Sequence, residues 1–303
     1  MNKADKYLKD TITEILEDGQ WDKNPRTKWA DGTLAHTKFI TQKVYQYDIS
    51  KGEYPINTLR TTALKGGFYD IEAIYIKQTN VIEEMHPSIH NWWKDFITTK
   101  NYVTFNPKDR GIYNNSDIGY TYGHTVARYG LMHKLLREME NKPFSRRHKI
   151  SLWQEQQWKD CPQALEPCAG LTLWSVREYD KFEVYKRYID LTLIQRSMDL
   201  AVTSSINPAQ YTMLAMIVCN HLTFKTGIKH EVGKLLHVVQ NVHIYDRHLD
   251  SAKEVLERES TELQPKIELI CEPKDFYQHT IEDFKFSGLE GIEKLSNKLE
   301  IAI

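Results

Sequence analysis

The chain has 303 residues, enough for one large domain or two small ones, and its 41% hydrophobic and 11% aromatic content can build a sizeable core. Forty Lys and Arg against 41 Asp and Glu leave a net charge of -1, which argues against the broad basic footprint of a nucleic-acid binder but permits a local arginine cluster for a small anion. The cysteines at 161, 168, 219 and 271 form no CxxC pair, so neither a zinc ribbon nor a secreted disulfide framework fits, and no metal site is expected.

Met1 to Lys6 is charged and polar, with no apolar segment behind it. No apolar run approaches the ~18 residues of a membrane span, so a soluble chain of a reducing cytoplasm is expected. Tyr7, Leu8, Ile12, Ile15 and Leu16 recur at helical spacing over residues 4–18, with Gly19 to end the helix. Residues 21–37 are polar and turn-rich. Residues 81–125 are irregular and rich in Asn, Asp, Tyr and Trp, the expected home of a ligand-facing insertion. From 182 to 196 the alternation of Tyr188, Asp190, Thr192 and Ile194 with Ile189, Leu191 and Leu193 predicts a strand. Asn207-Pro208 then opens a helix, with Asn at the cap and Pro in the first turn. Its body, Ala209 to Phe224, is apolar on most sides and should be buried, with Gly227 just past its end. Leu235 to Ile244 reads as a second strand and Leu249 to Glu257 as an amphipathic helix. Strands and helices mix without a regular βαβ rhythm, which favours an α+β fold. No linker divides the chain, so one domain over 1–303 is expected. No glycine-rich nucleotide loop occurs.

The chemistry gathers around Cys168, in Ala164-Leu165-Glu166-Pro167-Cys168. Pro162 and Pro167 hold this thiol at a constrained turn and outside a helix. A nearby arginine would favour its reactive thiolate form. Gln195-Arg196-Ser197-Met198-Asp199 follows about thirty residues later, then Asn207 and His243-Ile244-Tyr245. The set reads as a nucleophile, an anion clamp and polar groups that recognise a base and a sugar.

Taken together these segments resemble the thymidylate synthase family, and the likeness covers nearly the whole chain. Arg26-Thr27-Lys28-Trp29 looks like the N-terminal phosphate loop of a bacterial and phage branch. Pro143-Phe144-Ser145-Arg146-Arg147-His148 looks like the paired-arginine segment, and Lys274-Asp275-Phe276-Tyr277 with Ile281-Glu282-Asp283-Phe284-Lys285 like the C-terminal pattern. The resemblance implies a mixed sheet packed by helices, a homodimer formed through the sheet, dUMP as substrate and 5,10-methylenetetrahydrofolate as one-carbon donor. Attack of the Cys168 thiolate on C6 of uracil would make C5 carbanion-like. Asn207 would stabilise the enolate and select uracil over cytosine. Arg26, Arg196 and Ser197 would bind the 5′-phosphate, and Arg146 and Arg147 would reach across the dimer to the partner's site. His243 and Tyr245, two apart on a strand, would hold the 3′-OH. Glu72 would organise water for proton transfer, beside Tyr122. Trp92 or Trp93, Asp199 and the C-terminal Ile303 would line the folate.

The chain departs from the family at Ala169, Leu173, Gln240 and Asn241, in Thr203-Ser204-Ser205-Ile206 before Asn207, and at Trp93, where an acid usually lies. Those changes crowd around base and folate and spare the phosphate clamp. They predict a change of product: 5-hydroxymethyl-dUMP by water capture, with dTMP formed by hydride transfer as the alternative. A third reading is an idle nucleotide- or RNA-binding member, against which Cys168, Arg196 and Asn207 argue.

Overall fold

A computed structural model describes residues 1–98, 117–181 and 184–303. Part of the stretch read as irregular, and the first two residues of the strand expected from 182, lie outside the described residues. In chain order the elements begin with helix α1 (Lys3–Asp18), strands β1 (Gln20–Trp21) and β2 (Thr37–Asp48), and helices α2 (Leu64–Ile71) and α3 (His90–Trp93). Next come α4 (Tyr122–Tyr129), α5 (Leu131–Asn141), β3 (Lys149–Ser151), α6 (Glu155–Asp160), β4 (Ala169–Lys181) and β5 (Val184–Asp199). The chain continues through α7 (Leu200–Thr203), α8 (Ile206–Thr226), β6 (His230–Tyr245), α9 (Leu249–Glu257), β7 (Lys266–Leu269) and β8 (Phe284–Ser287).

Six strands form one sheet in the order β1-β2-β6-β5-β4-β3. β5 and β6 run parallel, and the other neighbours are antiparallel, so the sheet is mixed. The parallel pair needs a crossover, and α8 supplies it. This helix is apolar nearly all round: Met213, Leu214, Ala215, Ile217 and Val218 are fully buried, as the sequence predicts. Removing one such side chain typically costs ~2–5 kcal/mol. Gly227 caps it at φ 69°, in the left-handed region where glycine carries no Cβ penalty.

Several boundaries differ from expectation. Ser205, and not Asn207, is the N-cap of α8, so Asn207 lies inside the first turn with Pro208. β5 runs on to Asp199, and β6 begins at His230. β2 and β4 carry polar residues on their half-exposed faces, and this obscured their alternation in the sequence. Part of the stretch read as irregular is helical, as α3 and α4. No described helix is long and apolar enough to cross a membrane.

The helical layer is keyed to the sheet by buried polar groups. Asp5, at the start of α1, accepts from the Thr58 N–H (2.6 Å) and hydroxyl (2.7 Å). Asn57 then accepts from the N–H groups of Leu59 and Arg60. This chain of bonds delivers Arg60 beside Asp199 at the end of β5.

Candidate active site

Cys168 immediately precedes β4, where the β4–β5 register shifts between Ala169 and Leu171. Such irregularities re-aim side chains at sheet ends. The backbone around the thiol is pinned on every side. Its N–H donates to the Tyr122 hydroxyl (3.2 Å), and its carbonyl accepts from the Arg196 N–H (2.9 Å). The Pro167 carbonyl accepts from Trp153 Nε1 (3.0 Å) and Arg196 Nε (3.3 Å), and the Glu166 carbonyl from Arg196 Nη2 (2.8 Å). Trp153 lies so close over Gly170 that a Cβ there would meet its Nε1 at 1.9 Å. Arg196 is thus both structural brace and charge. It and Arg26 pull the thiol pKa down, but burial outweighs them and holds it above its ordinary value. In this form the thiol stays protonated at neutral pH: the arginines lower its pKa as expected, but by less than burial raises it.

The anion side is assembled from three segments. Arg26 is exposed on the loop after β1 and acts electrostatically on both Cys168 and Tyr245. Arg196 and Ser197 lie at the end of β5, with Ser197 in register with Asn241 of β6. Arg146 and Arg147 sit exposed on the turn between α5 and β3, and among the described residues neither makes an ion pair or any contact with this chain's thiol pocket. The sugar side is the end of β6. His243 Nδ1 lies 3.0 Å from Asn241 Oδ1, and the two rings of His243 and Tyr245 meet edge-on at 5.1 Å. Burial pushes His243 down to about 4, so its ring is neutral.

Asp199 ends β5 and caps α7, its Oδ1 accepting from the N–H groups of Ala201 (3.0 Å) and Val202 (3.3 Å). Burial pushes its carboxyl up to about 7 against these bonds and Arg60. Oδ2 makes no hydrogen bond among the described residues and is left for a ligand donor. Asn207 is half-buried one turn from Gln210 on the same face of α8.

Two carboxyls, Asp70 and Glu72, stand two residues apart on the helical side. Glu72 is ion-paired with Lys77 (3.1 Å), within a π-helical run over residues 72–77. The carboxyl that faces inward is Asp70. It is buried and accepts from Trp93 Nε1 (2.9 Å) and Gln210 Nε2 (2.8 Å). Burial pushes it up to about 6, against those two bonds. It acts electrostatically on Tyr75, Tyr122 and Tyr211. Tyr211 in turn donates to the carbonyl of Ala169, next to the nucleophile (3.3 Å). Asp70 falls on the same helical stripe as Gly67, Ile71 and Ile74, and that phase was the signal in the sequence. The two tryptophans separate as well. Trp93 is buried edge-on to Tyr122 at 5.1 Å, while Trp92 packs over Gly66 of α2.

Tyr122 opens α4 with φ 42°, a strained value for a side-chain-bearing residue. Gly123 beside it passes so close to Thr79 that a Cβ would meet the Thr79 carbonyl at 2.1 Å. The strain and the close approach together deliver the Tyr122 hydroxyl to Cys168.

The C-terminus closes over the loop after β1. Ile303 exchanges both backbone bonds with Lys28 (2.7 and 2.9 Å). Arg247 binds Asp31 (2.6 Å) on that loop and Glu300 (3.1 Å) on the tail, with its guanidinium 4.8 Å from the Trp29 ring centroid. Away from this pocket, Cys271, His279 and Asp283 offer ligand atoms within 4.8 Å of one another, but Lys274 Nζ, 2.7 Å from Asp283, already supplies a cation.

Comparison with known proteins agrees with this geometry. The family profile described as "Thymidylate synthase" matches residues 5–301. A thymidylate synthase of Streptococcus thermophilus is 34% identical over 305 residues, covering 100% of both chains. One of Streptococcus pneumoniae is 34% identical over 306 residues, again across both chains. The solved thermostable thymidylate synthase A of Bacillus subtilis superposes with a TM-score of 0.77 at 27% identity, covering 99% of each chain.

Proposed function

The chain belongs to the thymidylate synthase family, whose members are one-carbon transferases acting on dUMP, and we propose that it makes dTMP, working as a homodimer of single-domain subunits. The observation that carries this reading is the placement of Cys168: between Arg26 and Arg196, under Tyr122, with the buried Asp70 carboxyl beyond.

Arg26, Arg196 and Ser197 bind the 5′-phosphate, joined by Arg146 and Arg147 of the partner subunit. The exposure of that arginine pair, with no ion pair among the described residues, supports a role across an interface. His243 and Tyr245 hold the 3′-OH. Asn207 meets the uracil edge and supports negative charge on O4 while Cys168 Sγ bonds to C6. The thiol must lose its proton for that attack. Asp70, and not Glu72, holds the water that relays protons near C5, since its carboxyl is buried on the nucleophile side and poised near 6. Trp93, Asp199 with its unbonded Oδ2, and the Ile303 tail line the folate side and fit a ligand bearing N–H donors and a flat ring. When bound, 5,10-methylenetetrahydrofolate supplies the one-carbon unit and the hydride.

The case for 5-hydroxymethyl-dUMP rested on a clustered change at the wall. In this chain Leu173 is 41% exposed and Gln240 is also exposed, Asn241 is spent on His243, and Trp93 packs on Tyr122 and Asp70. Only Ala169 is both buried and adjacent to the nucleophile. With whole-length relatives named thymidylate synthase, this favours methylation. Incubation with dUMP and methylenetetrahydrofolate tests it: dTMP by mass, with a near-ultraviolet rise from dihydrofolate matching conversion one for one, is expected. A product heavier by one oxygen, without that rise, would replace the proposal with the hydroxymethylase.

A further inference from the structure

Next to β6 the imidazole of His248 is buried beside the carboxyl of Asp199. His248 is 2% exposed, and among the described residues neither ring nitrogen has a hydrogen bond. Buried polar groups are nearly always satisfied, so the polar neighbours of this ring, the Asp199 carboxyl and the Glu300 backbone, are what it can exchange bonds or protons with. Its Nδ1 lies 3.8 Å from Asp199 Oδ2, the oxygen left unbonded at the folate side. The ring is held edge-on by Trp29 (centroids 5.5 Å) and Tyr245 (6.0 Å). Trp29 is itself fixed by a bond from Nε1 to Asp246 (3.0 Å). The other charged or titratable groups facing the ring are His243 from β6, Asp246, and Glu300 with its backbone carbonyl from the tail. Arg60 faces Asp199.

We propose that His248 is a positioning residue that takes the Asp199 proton when a ligand N–H donates to that carboxyl, so that the cofactor binds without releasing a proton to water. Before binding, Asp199 holds the proton on its carboxyl and His248 is neutral. After binding, the carboxylate accepts the ligand N–H and the same proton sits on His248 Nδ1, passed across the 3.8 Å gap by a bridging water or by closure of the pair to hydrogen-bond distance; none is gained or lost. The starting state follows from burial, which pushes Asp199 up to about 7 and pulls His248 below its ordinary value. A donor bonded to the carboxylate then reverses the order. The inference rests on the reading that Asp199 faces the folate.

The test is the pH dependence of KM for methylenetetrahydrofolate between about pH 5.5 and 8, in wild type, His248→Phe and His248→Gln. Wild type should be nearly flat. Both variants lack a local proton acceptor, so below about pH 7 binding must expel the Asp199 proton to water. Their KM should then rise by up to tenfold per pH unit as pH falls. The KM for dUMP and kcat at pH 8 should stay within about threefold, which a merely structural loss would not respect. His248→Gln keeps a polar side chain and serves if the Phe variant fails to fold. Equal slopes in all three proteins, or parallel loss of every constant, would overturn the role of His248. Asp199→Asn separates the two layers: an unchanged folate KM there would sink the Asp199 reading, whereas a raised one with equal slopes in the His248 variants sinks only the proton transfer.

Discussion

The two walls of the pocket are built in different ways. The nucleophile wall is made of strand ends. Cys168, Arg196, Ser197, His243 and Tyr245 are held by backbone register, and the Arg196–Cys168 backbone bond ties the first two directly. The opposite wall is made of helices and a chain end. Asp70 and Trp93 come from α2 and α3, strained Tyr122 from the start of α4, and Ile303 from a tail tied by two backbone bonds and one arginine. A strand end fixes side chains by their order in the sequence, so short motifs survive there as legible words. A helix fixes them by angular phase, which a motif does not show. The nucleophile wall should therefore fail abruptly on substitution, and the helical wall by degrees.

The largest effect is expected at Cys168. Cys168→Ser should leave dUMP binding nearly intact and lower kcat by at least ~10³-fold, because the hydroxyl is not ionised at working pH and no other thiol flanks the site. Isothermal titration alongside turnover checks both halves. Near wild-type turnover would place the nucleophile elsewhere. Because burial holds this thiol above its ordinary value, kcat/KM for dUMP should also rise with pH through neutrality as the thiolate fraction grows.

The next effect separates the two carboxylates of the helical wall. Asp70→Asn should lower kcat by about 10²-fold, while Glu72→Gln, which only breaks an ion pair to half-exposed Lys77, should stay within about threefold. With its pKa raised to about 6, Asp70 is ionised above that value and protonated below it. Activity should then fall as pH drops through about 6 in wild type, and that acid limb should vanish from the residual activity of Asp70→Asn. The reverse ranking of the two variants would return the role to Glu72.

Asn207 is half-buried in the first turn of α8. Asn207→Asp should shift preference from dUMP toward dCMP by roughly tenfold to a hundredfold, since a mismatched buried hydrogen bond typically costs ~1–3 kcal/mol. Competition between the two nucleotides measures this ratio. Equal use of both by the wild-type enzyme would remove the basis for the assignment.

How far the sequence could be read follows the same division. The α+β class and the buried α8 were legible, because apolar period survives in one dimension; the motif order that singled out Cys168, Arg196, Ser197, His243 and Tyr245 is matched by their placement at the ends of neighbouring strands. The cap of α8 was misjudged because Asn and Ser are about equally good intrinsic caps and Pro208 drew the predicted start to Asn207, whereas the helix begins at Ile206 after Ser205. Glu72 was singled out by resemblance alone, and helical phase was not applied to it. Two positions on a helix differ by about 200°, and the apolar stripe through Ile71 and Ile74 carries Asp70 and not Glu72, which is the basis for the proposed exchange of roles. The thiol's raised pKa was not legible either. It depends on how deeply Cys168 is desolvated, and no spacing encodes that.

The smallest effect is expected at the tail. Arg247 bridges Asp31 of the phosphate loop and Glu300 of the tail, but all three side chains are solvent-exposed, and such pairs contribute little individually. The two backbone bonds between Ile303 and Lys28 remain when Arg247 is removed. Arg247→Ala should therefore raise KM for the folate by only about two- to fivefold, with kcat for bound substrates unchanged, and the difference should shrink at high salt as the wild-type pair is screened. Deleting Ile303 removes the backbone bonds and should cost more than Arg247→Ala. If the arginine variant instead proves the more damaging, the tail is held by charge rather than by strand-like pairing, and the helical wall fails as abruptly as the sheet side.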